Sequence, residues 1–187
     1  MNLAREPLAS RVELKARLDS RDAAVEACRR IGAVDTGTVE QTDTYFSMGR
    51  YRLKLRESSD GAHVLVGSSR PGLAQASRTQ FRLHRVANPG ATKATLARQW
   101  GAKVVVSKTR RAFLWQERVR IHIDRVHGLG DFLGFEAPIN PESDYEETAA
   151  RADVARLVGE FGITPRDLVA HSYAELVCGG SATPAGT

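Results

Sequence analysis

Residues 11–18 alternate strictly between charged and apolar side chains, and this pattern constrains the fold more than any other feature of the sequence. A period of two is that of an extended strand with one face buried. The apolar face carries Val12, Leu14, Ala16 and Leu18, and the opposite face carries Arg11, Glu13, Lys15 and Arg17. The segment therefore predicts a β-strand whose second face is entirely ionic.

Short β-rich segments separated by turn-forming residues recur along the chain, and Asp60 and Gly61 form a strong hairpin signal. Further strands are predicted over residues 38–46, 52–57, 63–70, 79–86, 103–110, 111–115, 119–124 and 131–137. Capping residues and helical spacing predict helices over about 20–33, 89–100, 149–161 and 165–177. The pattern indicates an α+β domain of antiparallel strands with peripheral and C-terminal helices.

The length and composition are those of one domain, since 187 residues with 42% hydrophobic content can bury a core without covalent staples. We expect residues 1–178 to form this domain and residues 179–187 to be a disordered tail.

No run of about 18 uncharged apolar residues occurs, and the N-terminus lacks an apolar signal core. We therefore expect a cytoplasmic protein without membrane contact. Cys28 and Cys178 belong to no metal or redox motif and are expected to be reduced.

The formal net charge of +5 favours anionic partners. Nucleic acid is disfavoured, because aromatic residues make up only 6% of the chain and no run of Lys or Arg exceeds two residues. The expected partner is a phosphorylated small molecule.

At least four predicted strands carry ionic faces. In addition to the first strand, these faces contain Arg52, Lys54 and Arg56; Lys108 and Arg110; and Arg118, Arg120, His122 and Asp124. On an open sheet they would be ordinary solvated surface. If the strands close into a barrel, they line a lumen in which charges must be neutralised by each other, by metal or by an anionic ligand. Such a lumen suits a polyphosphate, with carboxylates holding divalent ions.

Five segments resemble, in the family's order, the CYTH superfamily of class IV adenylate cyclases and thiamine triphosphatases. They are residues 12–17, 41–46, 52–56, 106–110 and 119–133, and residues 168–176 resemble the helical end of the bacterial class IV cyclase branch. The resemblance implies an eight-stranded antiparallel β-tunnel that binds a triphosphate with Mg²⁺ or Mn²⁺. It implies cyclase, triphosphatase or polyphosphatase activity, and a possible homodimer.

Matching positions assign roles to individual residues. Glu13 is the surviving acid of the family's N-terminal Glu-x-Glu-x-Lys, and Lys15 is its lysine. The resemblance implies catalytic Lys15, Lys54 and Lys108; phosphate-binding Arg17, Arg52, Arg56, Arg70, Arg78, Arg110 and Arg120; and metal-ligating Glu13, Asp124 and Glu136. Structural ion pairing inside the barrel is the alternative role for this set. His122 is a candidate base, although the family assigns it no established duty.

The chain departs from the family pattern in three segments. Arg11 stands where the first glutamate of the motif is expected, and Gly134 removes one of two expected carboxylates. Ser68 and Ser69 stand where family members often have an aromatic residue before Arg70. Fewer carboxylates predict weaker divalent-metal binding, while Arg11 could take over part of the metal's role in neutralising phosphate. A polar, widened wall at residues 67–69 and at Gly134 would admit a bulkier or differently shaped ligand than the usual one.

Three functions remain open from the sequence. The first is metal-dependent phosphoryl transfer on an organic triphosphate, by hydrolysis or cyclisation. The second is a repurposed tunnel that catalyses a different, metal-independent reaction on another anionic metabolite. The third is a non-catalytic module that binds polyphosphate or nucleotide.

Overall fold

Eight antiparallel strands close into a barrel in the computed structural model, which describes residues 8–48, 51–68, 76–139 and 145–179. The strands are β1 (Ala9–Arg17), β2 (Val34–Met48), β3 (Tyr51–Ser58), β4 (Val64–Ser68), β5 (Ser77–Arg85), β6 (Ala102–Trp115), β7 (Val119–Val126) and β8 (Gly130–Ile139). Around the barrel they follow the order β1-β5-β4-β3-β2-β6-β7-β8, and β8 pairs with β1. The predicted eight-stranded tunnel is confirmed.

Four helices accompany the strands in the described residues: α1 (Arg21–Arg30), α2 (Pro89–Trp100), α3 (Glu147–Glu160) and α4 (Tyr173–Val177). The Ser20 side chain caps α1 by accepting from the Ala23 N–H, and Asn88 caps α2 in the same way at Ala91. Within the described ranges, no helix is long and apolar enough to cross a membrane.

The predicted break between residues 110 and 111 is wrong, because β6 runs unbroken from Ala102 to Trp115. Arg110 and Arg111 occupy opposite faces of this one strand, as successive side chains must. Arg110 lines the barrel interior, whereas Arg111 lies outside and donates to Asp35 at 2.6 Å. The two adjacent arginines therefore lie on opposite faces of one continuous strand, and no turn separates them.

The predicted helix over 165–177 is also wrong in its first half, since helical structure is confined to Tyr173–Val177. The preceding segment bonds to the end of β1 instead. The Arg17 N–H donates to the Asp167 carbonyl at 2.7 Å, and the Val169 N–H donates to the Lys15 carbonyl at 2.9 Å. These bonds use backbone groups that a continuous helix would need for itself. Of the predicted tail, residues 180–187 lie outside the described residues.

The main apolar core lies between the outside of the barrel and the helices. Val12 and Ala16 on β1 are fully buried and belong to one cluster with Cys28 of α1 and with Val154 and Leu157 of α3. Apolar side chains thus face outward beneath helices, and the alternating ionic side chains must face inward. Packing of α1 and α3 therefore determines which face of β1 lines the lumen.

A second apolar cluster contains residues of the barrel wall and of the C-terminal segment. Tyr45 and Phe132 come from strands, while Val169, Tyr173 and Leu176 come from the segment after α3. The rings of Phe132 and Tyr173 lie 4.9 Å apart between centroids. The C-terminal segment is therefore packed against the strands at the same place where residues 169–173 line the internal cavity.

Candidate active site inside the barrel

The barrel encloses a cavity of about 340 Å³. Among the described residues that line it, seven are basic and four are carboxylates. The basic residues are Arg11, Lys15, Arg52, Lys54, Arg56, Arg110 and Arg120, and the carboxylates are Glu13, Asp43, Asp124 and Glu136. The ionic faces are thus a lumen and not an open solvated surface. Its excess of three formal positive charges favours an anionic ligand.

Asp43 is the centre of the most buried charge cluster. Its side chain is fully buried on β2 and accepts from Lys54 at 3.1 Å, from Lys108 at 2.9 Å and from both Nε and Nη2 of Arg56 at 2.7 and 2.8 Å. Burial opposes the charge on Asp43, but Lys54, Arg56 and Lys108 outweigh it and hold the pKa of this carboxyl well below its usual value. Asp43 therefore stays ionised and orients three cations.

Arg110 and Asp124 form a second buried pair across β6 and β7. Arg110 donates to both carboxylate oxygens at 2.6 Å, and the Tyr173 hydroxyl donates to Oδ2 at 2.9 Å. Burial again opposes the charge on Asp124, but Arg110 holds its pKa below the usual value. Both oxygens of Asp124 are therefore engaged by a guanidinium in fork geometry.

Glu13 and Glu136 face each other from the paired strands β1 and β8, with Arg11 bridging them. Arg11 donates from Nε to Glu13 at 2.9 Å and from Nη1 to Glu136 at 2.9 Å. The Thr79 hydroxyl donates to the other oxygen of Glu13 at 2.8 Å. Although burial opposes the charge on Glu136, Arg11 and other cations hold the pKa of this carboxyl low.

Two lining cations lack a carboxylate partner in the part of the chain that the structure describes. Lys15 donates to the His171 carbonyl at 3.1 Å and lies 4.1 Å from the centre of the Tyr173 ring. The Arg120 side chain is exposed and makes no ion pair or hydrogen bond with any described residue. These two side chains are free to bind an incoming anion.

Lys15 and Lys54 titrate close to neutral pH. Burial lowers the pKa of each ammonium group to about 8, with the nearby carboxylates opposing the shift in part. Each lysine is therefore mostly protonated at pH 7 and can lose its proton in a mildly basic solution. A buried lysine with a pKa near neutrality can bind an anion or transfer a proton.

Four predicted site residues lie elsewhere or outside the described residues. Lys108 is fully buried behind Asp43 and contributes no atoms to the cavity wall. Arg17 is exposed beside the Phe132 ring and Arg78 pairs with Glu147 at 3.3 Å; neither lines the cavity. Arg70 lies outside the described residues.

Arg118 and His122, which shared the predicted ionic face of β7, are in different environments. Arg118 lies outside the lumen and binds Asp153 at 3.1 Å. His122 lines the cavity, where burial and Arg110 lower its pKa to about 3. Its Nδ1 is 3.8 Å from Glu136, beyond hydrogen-bond distance. His122 is therefore a neutral imidazole and a weak proton acceptor.

Asp43 and Tyr173 line the cavity but are not among the predicted site residues. Asp43 lies in a segment that carries the family resemblance. In a strand it shares one face with Gln41 and Tyr45, and this period of two is the signal in the sequence for an inward side chain. Tyr173 lies in the segment predicted as a helix over 165–177; its hydroxyl donates to Asp124 inside the barrel while its ring packs on Phe132. Its position depends on the docking of α4, which leaves no local pattern in the sequence.

Gly134 widens the cavity between Lys15 and His122, its partners on the neighbouring strands. A Cβ there would meet only ordinary contacts, with the Leu14 carbonyl at 3.8 Å and the His122 Cβ at 3.9 Å. A side chain is thus compatible with the backbone at this position. Its absence leaves open the volume that a side chain would occupy, and use of this volume by a bulkier ligand stays a prediction.

The predicted Mg²⁺ or Mn²⁺ site does not fit the arrangement of the described carboxylates. Across residues 8–48, 51–68, 76–139 and 145–179, no three His, Cys, Asp or Glu side chains are grouped closely enough to hold a metal ion. Both carboxylate oxygens of Asp124 accept hydrogen bonds from Arg110. The Arg11 guanidinium lies between Glu13 and Glu136 and donates to both. Divalent ions prefer several free oxygen ligands around one point.

The sequence model of the CYTH domain matches residues 9–173. No curated protein sequence matches the chain. Among solved structures, a protein from Pyrococcus horikoshii is similar with a TM-score of 0.78 at 21% identity, over 89% of this chain and 98% of the other. This protein has the same fold as the chain.

Two further similar structures carry functional names. A proposed adenylate cyclase from Vibrio parahaemolyticus has a TM-score of 0.72 at 18% identity, over 90% of this chain and 97% of the other. A proposed adenylyl cyclase from Hippeastrum, with a dominant triphosphatase activity, has a TM-score of 0.64 at 16% identity, over 93% and 98%. At these identities the likeness concerns the fold alone.

Proposed function

Because the chain belongs to the CYTH domain family, we propose that its tunnel binds an organic triphosphate and catalyses phosphoryl-transfer chemistry on it. The observation that carries this proposal is the excess of cations in the cavity. Seven basic side chains face four carboxylates among the described lining residues, and Lys15 and Arg120 have no carboxylate partner there. A triphosphate supplies the negative charge that this lumen lacks.

Four of the lining cations fall into two groups with different proposed roles. Arg56 and Arg110 are locked by Asp43 and Asp124 and present fixed positive charge to the cavity. Lys15 and Arg120 have no such partner, so they bind the phosphate chain directly. Cations held in place before the ligand arrives stabilise developing charge without a cost of reorganisation.

Hydrolysis and cyclisation differ in the attacking oxygen. A triphosphatase places water in line with the terminal phosphorus, whereas a cyclase places the ligand's own hydroxyl in line with the α-phosphorus. Both reactions need the phosphate oxygens to be held and their charge to be neutralised. Lys15 and Lys54 are our candidates for direct contact with the reacting phosphate, since both reach the cavity and both have a pKa of about 8.

A different reaction on another anionic metabolite is the second candidate. It is favoured by the ion-paired state of Glu13, Asp124 and Glu136, which leaves no described carboxylate group arranged for a divalent ion. Such a reaction would use the tunnel's own cations and would proceed in the presence of a chelator.

The first test is a thermal-shift screen with ATP, other nucleoside triphosphates, thiamine triphosphate, tripolyphosphate and the matching monophosphates, each with Mg²⁺, Mn²⁺ or EDTA. Triphosphates should raise the melting temperature by mass action, and monophosphates should do so weakly. The stabilising compounds are then incubated with protein, and released phosphate and cyclic nucleotide are measured. Failure of every triphosphate to stabilise the protein would contradict the proposal.

Variants test whether the tunnel carries the activity. Lys15→Met should lower affinity and turnover because it removes an unpaired cation from the cavity. Arg125→Gln is the matched control, since Arg125 binds Asp131 on the outside of β7 and β8 and is exposed. Binding without any product in wild-type protein would support the non-catalytic alternative instead.

A further inference from the structure

Arg11 is held between Glu13 and Glu136, the facing pair of carboxylates that the sequence predicted as metal ligands. We propose that the Arg11 guanidinium is a built-in counter-charge, so that the tunnel binds the phosphate chain of its ligand without a divalent metal. This inference rests on the proposed function, because it concerns how the same cavity neutralises a triphosphate.

The guanidinium is fixed on several sides. Its Nε and Nη1 atoms donate to the two glutamates at 2.9 Å each, and its Cζ lies over the Phe81 ring, 4.5 Å from the ring centre. The side chain is only 23% exposed. Nη2 makes no hydrogen bond with any described residue, so its two N–H groups remain available to an anion. Arginine stays charged at every physiological pH and suits phosphate geometry.

The same contacts disfavour a metal ion. One oxygen of Glu13 and one of Glu136 accept from Arg11, and the second oxygen of Glu13 accepts from the Thr79 hydroxyl at 2.8 Å. A divalent cation would have to displace the guanidinium to use these oxygens, and it would be repelled by its charge if it bound beside it. Asp124 offers no alternative, because Arg110 holds both of its oxygens.

The test is isothermal titration calorimetry with tripolyphosphate and with ATP, in EDTA and in Mg²⁺. Wild-type protein should bind in EDTA at least as tightly as in Mg²⁺. R11Q should weaken binding in EDTA by about tenfold or more, the usual loss for one charge-assisted hydrogen bond. R11K should retain part of the affinity because it keeps the charge. R125Q, outside the barrel, should bind as the wild type does.

R11E adds a third carboxylate beside Glu13 and Glu136 in place of the cation. It should abolish binding in EDTA and recover part of it with Mg²⁺ or Mn²⁺, because the substitution removes the cation and places three carboxylates together. Circular dichroism and the melting temperature without ligand show whether each variant is folded. If R11Q or R11E does not fold, the wild-type comparison between EDTA and Mg²⁺ decides alone.

The outcomes separate this inference from the proposed function. Wild-type binding that requires metal would overturn the role of Arg11 and leave the triphosphate tunnel intact. Unchanged binding of R11Q in EDTA would also overturn it, since another group must then supply the charge. Absence of binding under every condition would overturn the proposed function, and this inference with it.

Discussion

Replacement of Asp43 by asparagine should destabilise the protein more than any other single loss of charge in the cavity. The Asp43 side chain is fully buried and accepts hydrogen bonds from Lys54, Arg56 and Lys108. An asparagine of similar size would leave these three cations facing one another without a counter-charge. The loss therefore arises from uncompensated buried charge, with little change in packing.

The expected magnitude follows from the burial of the partners. Loss of one member of a buried ion pair costs about 3–5 kcal/mol. Two factors favour the lower end: Lys54 and Arg56 are about one-fifth exposed, and Lys108 can lose its proton because burial already lowers its pKa well below the usual value. Arg56 cannot lose its proton, so its charge would remain without a counter-charge. We expect a loss of about 3 kcal/mol, or a fall in melting temperature of about 6–12 °C.

The assay is urea unfolding and thermal melting in a buffer without phosphate. Asp35→Asn is the matched control, because Asp35 lies on the same strand but pairs with Arg111 outside the barrel and is 40% exposed. Asp35→Asn should lower the free energy of unfolding by less than about 1 kcal/mol. Tripolyphosphate should stabilise Asp43→Asn more than wild type, since an anion in the cavity replaces the missing charge. A variant that melts within about 2 °C of wild type would refute the reasoning.

Three further outcomes are expected. Tripolyphosphate affinity should fall as the pH rises through about 8, because Lys15 and Lys54 lose their protons there. Calorimetry across pH should show a shallower fall in affinity for Lys15→Arg, and an affinity of the wild type that does not change with pH would count against both lysines. Arg120→Ala should weaken binding several-fold without a change in melting temperature, since Arg120 has no partner among the described residues; a large fall in melting temperature would contradict this. Tyr173→Phe should lower the free energy of unfolding by about 1–2 kcal/mol in urea, because it removes only the hydrogen bond to Asp124; no measurable loss would show that this bond does not contribute.

Much of the fold could be predicted from local patterns. The alternation over residues 11–18 corresponds to β1, and the helix predicted over 89–100 has those bounds in the structure. These predictions succeed because a strand's period of two and a helix cap depend on neighbouring residues alone. The errors at Arg110–Arg111 and over 165–172 arise where the pairing of β6 with β2 and the backbone bonds to β1 decided the conformation.

By itself, the sequence determined that this chain has strands with ionic faces, a resemblance to the CYTH superfamily and a motif in which Arg11 replaces a carboxylate. Closure of the barrel makes these faces a lumen and sets which charges neutralise one another. Arg11 and Glu136 are 125 positions apart, and they meet because β1 closes the barrel against β8. Side-chain alternation is a local property of a strand, whereas an ion pair across a barrel depends on register and closure. For that reason only the folded chain shows that Glu13 and Glu136, the predicted metal ligands, hold an arginine between them.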